Sequence, residues 1–421
     1  MVWGLGVGYV ISGNYFGWNL GLEQGGTLGL AIATTFAIAM YVTFTYSYAE
    51  LACAIPRAGG AFDYATRALG EDLGFIAGMA QNIEFIFAPP AIALAIGSYL
   101  NLFFPALPVI LFSLGSYFIF TVLNITGLRA AAVFELFVTI VAVTGLLVFH
   151  GTVLTHIDVA NLSRNPLPHG LAGIFAAIPF AIWFFLGIEG VANLAEEARD
   201  PRRTMSAGFL SALFTLIFVC ILTFTGAVGV GGWETVVYKA DGMPSDSPLP
   251  MAVQQVAGTT SWSYRCLIIF GLFGLIASFN GLMLAAGRSS FEFGRVKMGL
   301  AYLGRIHPRF KTPMNALMVN MVIGIVALLT GRTSEVIALS VFGALTLYCI
   351  SMIALIRLRW KEPGLERPFR VPLYPYFPLI ALTIALVALV SVAIYNPMLC
   401  LLYMLIVGLC YGLFKLHQKT H

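Results

Sequence analysis

Three acids, Glu84, Glu135 and Glu189, stand inside stretches of sequence that are otherwise apolar. A carboxylate in hydrocarbon costs several kcal/mol unless it is protonated or meets a cation, so an acid placed there marks a site by default. Glu84 lies about eleven residues into its stretch, roughly 16 Å along a helix and near a bilayer midplane. No Lys or Arg sits at a similar depth in any apolar stretch, which makes the ammonium of a substrate its candidate partner. The alternative is a protonated Glu84 hydrogen-bonded to a neighbouring helix. Glu189 lies in Gly187-Ile188-Glu189-Gly190, where two glycines and an acid interrupt the apolar run of 176–204. Backbone that leaves the helix at such depth is tolerated only where protein buries it or it lines a wet cavity. Trp183, Phe184 and Phe185 come just before this break, and an indole face attracts an ammonium by about 2 kcal/mol once desolvated. Ordinary packing is the competing reading in a chain with 33 Phe.

A second break is expected near the start of the chain. Gly4, Gly6, Gly8, Ser12, Gly13 and Gly17 crowd the first apolar stretch, with Asn14 and Tyr15 after the Ser-Gly pair. Half-helix ends at both breaks would expose unpaired N–H and C=O groups able to replace a substrate's water shell. The competing reading is that these glycines only let helices pack closely. Farther along, Ser278 and Asn280 offer either a polar contact opposite the first break or a plain interhelical hydrogen bond.

The elements that must position these groups follow from composition. Of 421 residues, 59% are hydrophobic and 10% charged, which no soluble core accommodates, so the chain reads as a polytopic helical membrane protein. Apolar runs bounded by charge, Pro or Gly give twelve spans at about 3–21, 27–51, 73–103, 107–124, 131–154, 171–195, 206–231, 264–291, 314–330, 333–357, 374–395 and 397–416. Of the 23 Lys and Arg, only Arg164, Lys239, Arg265 and Arg332 follow odd-numbered spans. The positive-inside bias therefore puts both termini in the cytoplasm. The chain enters its first span at Trp3 without the polar tail expected ahead of it, so a trimmed start is expected. The connection at 232–263 reads as a turn-rich loop with a short surface helix. Six scattered cysteines indicate neither a disulfide framework nor a CxxC metal site, and no P-loop, nucleophile elbow or ligand cluster is present. Neither an enzyme nor a cofactor or metal is expected.

Interrupted spans five apart, at corresponding positions of two halves, point to inverted repeats. The expected fold is all-α and transmembrane: a LeuT-like five-plus-five inverted repeat with helices 1 and 6 broken, plus helices 11 and 12. Repeat one covers about 1–154, repeat two about 171–357 and helices 11–12 about 374–416, all within one unit, 1–421.

Ser47-Tyr48-Ala49-Glu50-Leu51, followed by AIPRAGGAFDY at 54–64, resembles the helix-two-to-three signature of the amino acid–polyamine–organocation superfamily. Residues 183–189, followed by EEARDPRR at 196–203, resemble that superfamily's helix-six signature with its EE-x-x-(N/D)-P-x-R tail. Within the superfamily, VISGNYFGWN at 10–19 and QNIEFIFAPP at 81–90 are most similar to bacterial ethanolamine permeases. The resemblance implies uptake of a small amine across a bacterial inner membrane by alternating access, through a site between helices one, three, six and eight. It implies an aromatic gate at Trp183 and a supporting or proton-network role for Glu189. Amino-acid carriers of the superfamily usually have a G-S-G-like turn in helix one; here the run is Ser12-Gly13-Asn14. A carboxamide offers both donor and acceptor, which suits a hydroxyl or ammonium.

The expected substrate site is Ser12, Gly13, Asn14, Tyr15, Glu84, Trp183, Phe185, Gly187, Glu189 and Asn280. Glu50, Arg57, Glu196, Glu197 and Arg203 are expected to form ion pairs of an inside gate, with solvated helix ends as the bland alternative. Span five lacks a lysine, so no fixed ammonium replaces sodium there; a proton is the expected coupling ion, through Glu84, Glu189 or Glu135, with sodium open. The partners expected are a small amine and the bilayer, not nucleic acid, and the chain is a monomer or a homodimer. The competing functions are an amino-acid permease or exchanger and, from another class, an amine sensor that does not transport.

Overall fold

The computed structural model describes residues 2–127, 131–197 and 201–420; the side chains at 131–134, 194–197, 201–203, 417 and 419–420 are not among those described. Among the described residues, ten stretches are long and apolar enough to cross a membrane. The two remaining expected spans fall short for physical reasons. Span one is divided into Val2–Val10 and Ser12–Tyr15, and the helix of span nine, Met314–Leu328, has only 15 residues. Among the described residues the only β pairing is one bridge between Tyr238 and Pro244.

Span two runs over Leu20–Ala54 with a kink at Gly26, whose φ of 63° lies in the left-handed region that glycine tolerates. A short amphipathic helix, Ala61–Leu69, then leads into span three, Glu71–Phe103. That helix carries Pro89 and Pro90 one turn beyond Glu84, where two backbone hydrogen bonds are necessarily missing. Spans four and five are Val109–Thr126 and Ala131–Val153. Span six comprises Gly170–Ala176, Ile178–Trp183, a turn at 184–187 and the 3₁₀ segment Ile188–Glu197. Spans seven and eight are Pro201–Gly231 and Trp262–Arg295; spans ten, eleven and twelve are Thr333–Lys361, Tyr376–Tyr395 and Pro397–Thr420.

Span ten lies directly on span three beside Glu84. A Cβ on Gly343 would sit 2.5 Å from the Ala80 oxygen and 2.7 Å from the Glu84 nitrogen, so the small residue sets this close approach. Ser340 fastens it by donating to the Glu84 carbonyl at 2.9 Å.

The long connection after span seven folds against span one and span ten. It holds the helices Glu234–Val237 and Pro248–Ala257, the second burying Leu249, Ala252 and Val253. Asn19 donates to the carbonyls of Ser245 at 2.8 Å and Val236 at 3.2 Å, and accepts the Gly17 amide at 3.1 Å. Thr333 donates to Asp246 at 3.1 Å. Burial pushes the Asp246 carboxyl up to about 6, against the opposing pull of the Thr333 hydroxyl and the Lys239 ammonium. An acid raised in the folded state contributes stability that is full below about pH 4 and is lost as pH rises through 6. Asp246→Asn is therefore expected to raise the melting temperature by about one degree at pH 8, for about 1 kcal/mol, and to change it little below pH 4 in a thermal-shift series.

Candidate site at the two broken spans

The breaks of spans one and six are built around each other. In span one, the hydrogen bond that Ser12 N–H would make to Gly8 C=O is replaced by the Ser278 hydroxyl. It donates to the Gly8 oxygen at 2.6 Å and accepts the Ser12 amide at 2.9 Å. After one helical turn, Phe16 is fully extended (φ −161°, ψ 172°) and Gly17 has φ 87°. The helix is thus interrupted twice, at Ile11 just before the expected Ser12-Gly13-Asn14 run and again over residues 16–19. Sequence composition showed weak helix formers here, but the inserted hydroxyl comes from a helix 266 residues away.

Gly13 marks the closest approach of the two spans. A Cβ there would collide with the Trp183 carbonyl and lie 3.1 Å from the Phe184 Cα. Backbone cannot swing aside, so Gly13→Ala would strain the contact by about 1–3 kcal/mol. Measured uptake is expected to fall at least about tenfold, with the protein still eluting as a single species from a sizing column. Trp183 donates its indole N–H to the Phe16 carbonyl at 3.1 Å and meets the Phe16 ring edge-on at 5.5 Å. It thus satisfies backbone freed by the break in span one.

Tyr15 points away from this junction. Its hydroxyl donates to Ala142 of span five at 2.6 Å, and Tyr99 donates to the Tyr15 carbonyl at 3.1 Å. Asn14 is fully buried, and neither its Oδ1 nor its Nδ2 has a hydrogen-bond partner. A buried carboxamide with both ends unpaired costs about 1–3 kcal/mol per group unless something completes it.

Span six leaves the helix at Gly187, whose φ of 95° suits glycine alone. The turn carries Glu189 to Glu84 of span three. The two carboxyls are electrostatic neighbours, with the Gly187 amide beside Glu84. Both side chains are sealed from solvent, at 0% and 1% exposure. Tyr348 of span ten donates to Glu189 Oε2 at 2.9 Å, and its hydroxyl lies 3.1 Å from that of Tyr41 on span two. The Glu84 carboxyl lies against the Glu189 carboxyl and the Gly187 amide, and no hydroxyl, Lys or Arg among the described residues donates to either of its oxygens. Phe185 packs on Tyr41 at 5.2 Å. Tyr48, two helical turns from Tyr41 on the same face, also faces both acids. These three tyrosines were not singled out in the sequence. The spacing of Tyr41 and Tyr48 was an available signal, whereas Tyr348 offered none.

Asn280 falls elsewhere. It hydrogen-bonds Glu135 of span five, whose Oε1 otherwise lacks a partner. Glu135 abuts Gly8, where a Cβ would be 2.7 Å from Oε1. The junction therefore holds two acidic centres: the Glu84–Glu189 pair and Glu135.

Of the expected inside gate, the side chains of Glu196, Glu197 and Arg203 are not among those described. Arg57 is exposed in the turn after span two. Glu50 does not sit in solvent; it is fully buried and bound by Arg359 at 2.9 and 2.6 Å, by Arg367 at 3.2 Å and by the Val371 amide at 2.7 Å. Its partners come from span ten and the loop after it, where the sequence reading looked to neighbours in spans two and six.

A multi-pass helical membrane protein whose two broken helices meet over buried acids, without a cluster of metal ligands among the described residues, is built like a carrier. The sequence profile of the amino acid permease family matches residues 2–410. The chain belongs to that family, in agreement with the superfamily its motifs resemble. It is 27% identical to an uncharacterized transporter of Rhizobium meliloti, over 94% of this chain and 84% of that one. It is 24% identical to the branched-chain amino acid permease BcaP of Bacillus subtilis, over 93% and 87%. It is 26% identical to the low-affinity putrescine importer PlaP of Escherichia coli K12, over 81% and 76%. The family and these relatives are transporters, not enzymes.

Proposed function

We propose that this protein imports ethanolamine or a similar small amine across a bacterial inner membrane, with both termini cytoplasmic. The observation that carries the reading is the buried Glu84–Glu189 pair, whose electrostatic neighbours among the described residues include no Lys, Arg or His. Two acids sealed together call for a positive charge, and an ammonium supplies one. Glu84, which no hydroxyl or cationic side chain among the described residues holds, receives the ammonium; Tyr348 holds Glu189 in place. Asn14 takes the hydroxyl end through its unpaired carboxamide.

The amides of span one argue against a carboxylate. Those of Ser12, Asn14, Phe16 and Gly17 already bind Ser278, Ile11, Ser12 and Asn19. A LeuT-like pair of inverted repeats would bring the site to each side in turn, by rocking spans one, two, six and seven against three, four, eight and nine. A proton is the proposed coupling ion, with Glu135 and the acid pair as its candidate carriers.

The test is uptake of labelled ethanolamine into proteoliposomes, competed by alanine, serine, choline and putrescine. Competition by ethanolamine above all others supports the reading. Transport of alanine or serine with no effect of ethanolamine would replace it with an amino-acid permease, as the likeness to BcaP allows. Saturable binding without uptake would make the protein a sensor.

A further inference from the structure

The way a proton enters the cycle follows from counting charge in the sealed site, taking the amine reading above as given. Glu84 and Glu189 are in each other's field, and the titratable groups facing them are tyrosines: Tyr41 and Tyr48 from span two and Tyr348 from span ten. Among the described residues the pair has no cation of its own, and both side chains are sealed from solvent in this conformation. Leaving even one net charge in such a place costs several kcal/mol, and leaving two in contact costs more. A sealed conformation of low energy therefore holds two positive charges against the two carboxyls whenever the carrier moves.

We propose that the amine and a proton compete for Glu84, so that the carrier exchanges one ammonium for one proton rather than carrying both together. Without substrate, each carboxyl holds a proton. When the amine arrives, the O–H bond of Glu84 breaks and its proton leaves to the side from which the amine came. An ammonium N–H donates to the freed oxygen, and Glu189, bound by Tyr348 at 2.9 Å, keeps its own proton. Both forms are neutral as a site, so both can pass through the sealed state. On the far side a proton replaces the departing ammonium. One positive charge moves each way and the cycle is electrically silent.

The geometry assigns unequal parts to the two acids. Glu189 has a tyrosine donor already attached, while Glu84 has none. Glu84 is thus the group free to trade partners.

Two measurements on the same proteoliposomes separate this inference from the reading it rests on. Counterflow of labelled ethanolamine into vesicles loaded with unlabelled ethanolamine, corrected for protein-free vesicles, asks only whether the amine is carried. Charge movement on a capacitive electrode, after a pulse of ethanolamine at symmetrical pH, asks what accompanies it. Counterflow with no sustained current, and an initial uptake rate that changes less than about 1.5-fold under an inside-negative potassium diffusion potential, supports exchange. Such a potential of 100 mV would supply about 2.3 kcal/mol per net charge moved, close to fiftyfold in driving force if one charge crossed. Counterflow with an inward current overturns exchange and leaves amine transport standing. Absence of counterflow overturns the amine reading itself.

Discussion

Glu84→Gln is expected to reduce ethanolamine uptake to about one hundredth of wild type or less, with the melting temperature unchanged. The amide preserves size and removes the charge that an ammonium needs. Removing one partner of a buried ion pair costs about 3–5 kcal/mol, two to four decades in affinity. Glu189 is a poorer replacement, because one of its two oxygens, Oε2, is held by Tyr348 on a separate helix. Stability is expected to hold, since a neutral amide replaces a carboxyl that is itself neutral when no amine is bound. The pairing of lost transport with retained stability is the informative result. Wild-type uptake by this variant would remove Glu84 from the site.

Glu50→Ala is expected to act in the opposite sense, on stability. Glu50 joins span two to Arg359, Arg367 and the Val371 amide, and Arg359 stacks over the Tyr374 ring at 4.0 Å. Without it two guanidinium groups face each other with no anion between them. A loss of about 3–5 kcal/mol follows from orphaning buried charge, read as a fall of roughly three to six degrees in melting temperature. Glu50→Gln, which retains acceptor capacity, should fall between. Unchanged melting in both variants would mean that the cluster is solvated in the working carrier.

The spans were legible because hydrocarbon length and the placement of basic residues are properties of the chain alone. Ten appear as stretches of the anticipated kind, and even span nine was located correctly although its helix is short. The acids were legible too, since Glu84 and Glu189 stand out in an apolar setting. Their being neighbours was not, because that depends on how the turn at Gly187 directs span six toward span three. Glu50 shows the limit most clearly. Its motif marked it as important, yet the side chain that neutralises it stands 309 residues farther on. Tyr15, Trp183 and Asn280 were expected at the substrate site, but each has a hydrogen bond to protein that the sequence could not display.

The Ser278 hydroxyl between Gly8 and Ser12 makes the bend of one helix depend on the position of another. A helix that lacks one of its own rungs can close it only when the borrowed hydroxyl withdraws. The backbone of span one at Gly8–Ser12 is thereby tied to span eight through a single side chain. The curvature of the first helix is thus a readout of where the eighth one stands.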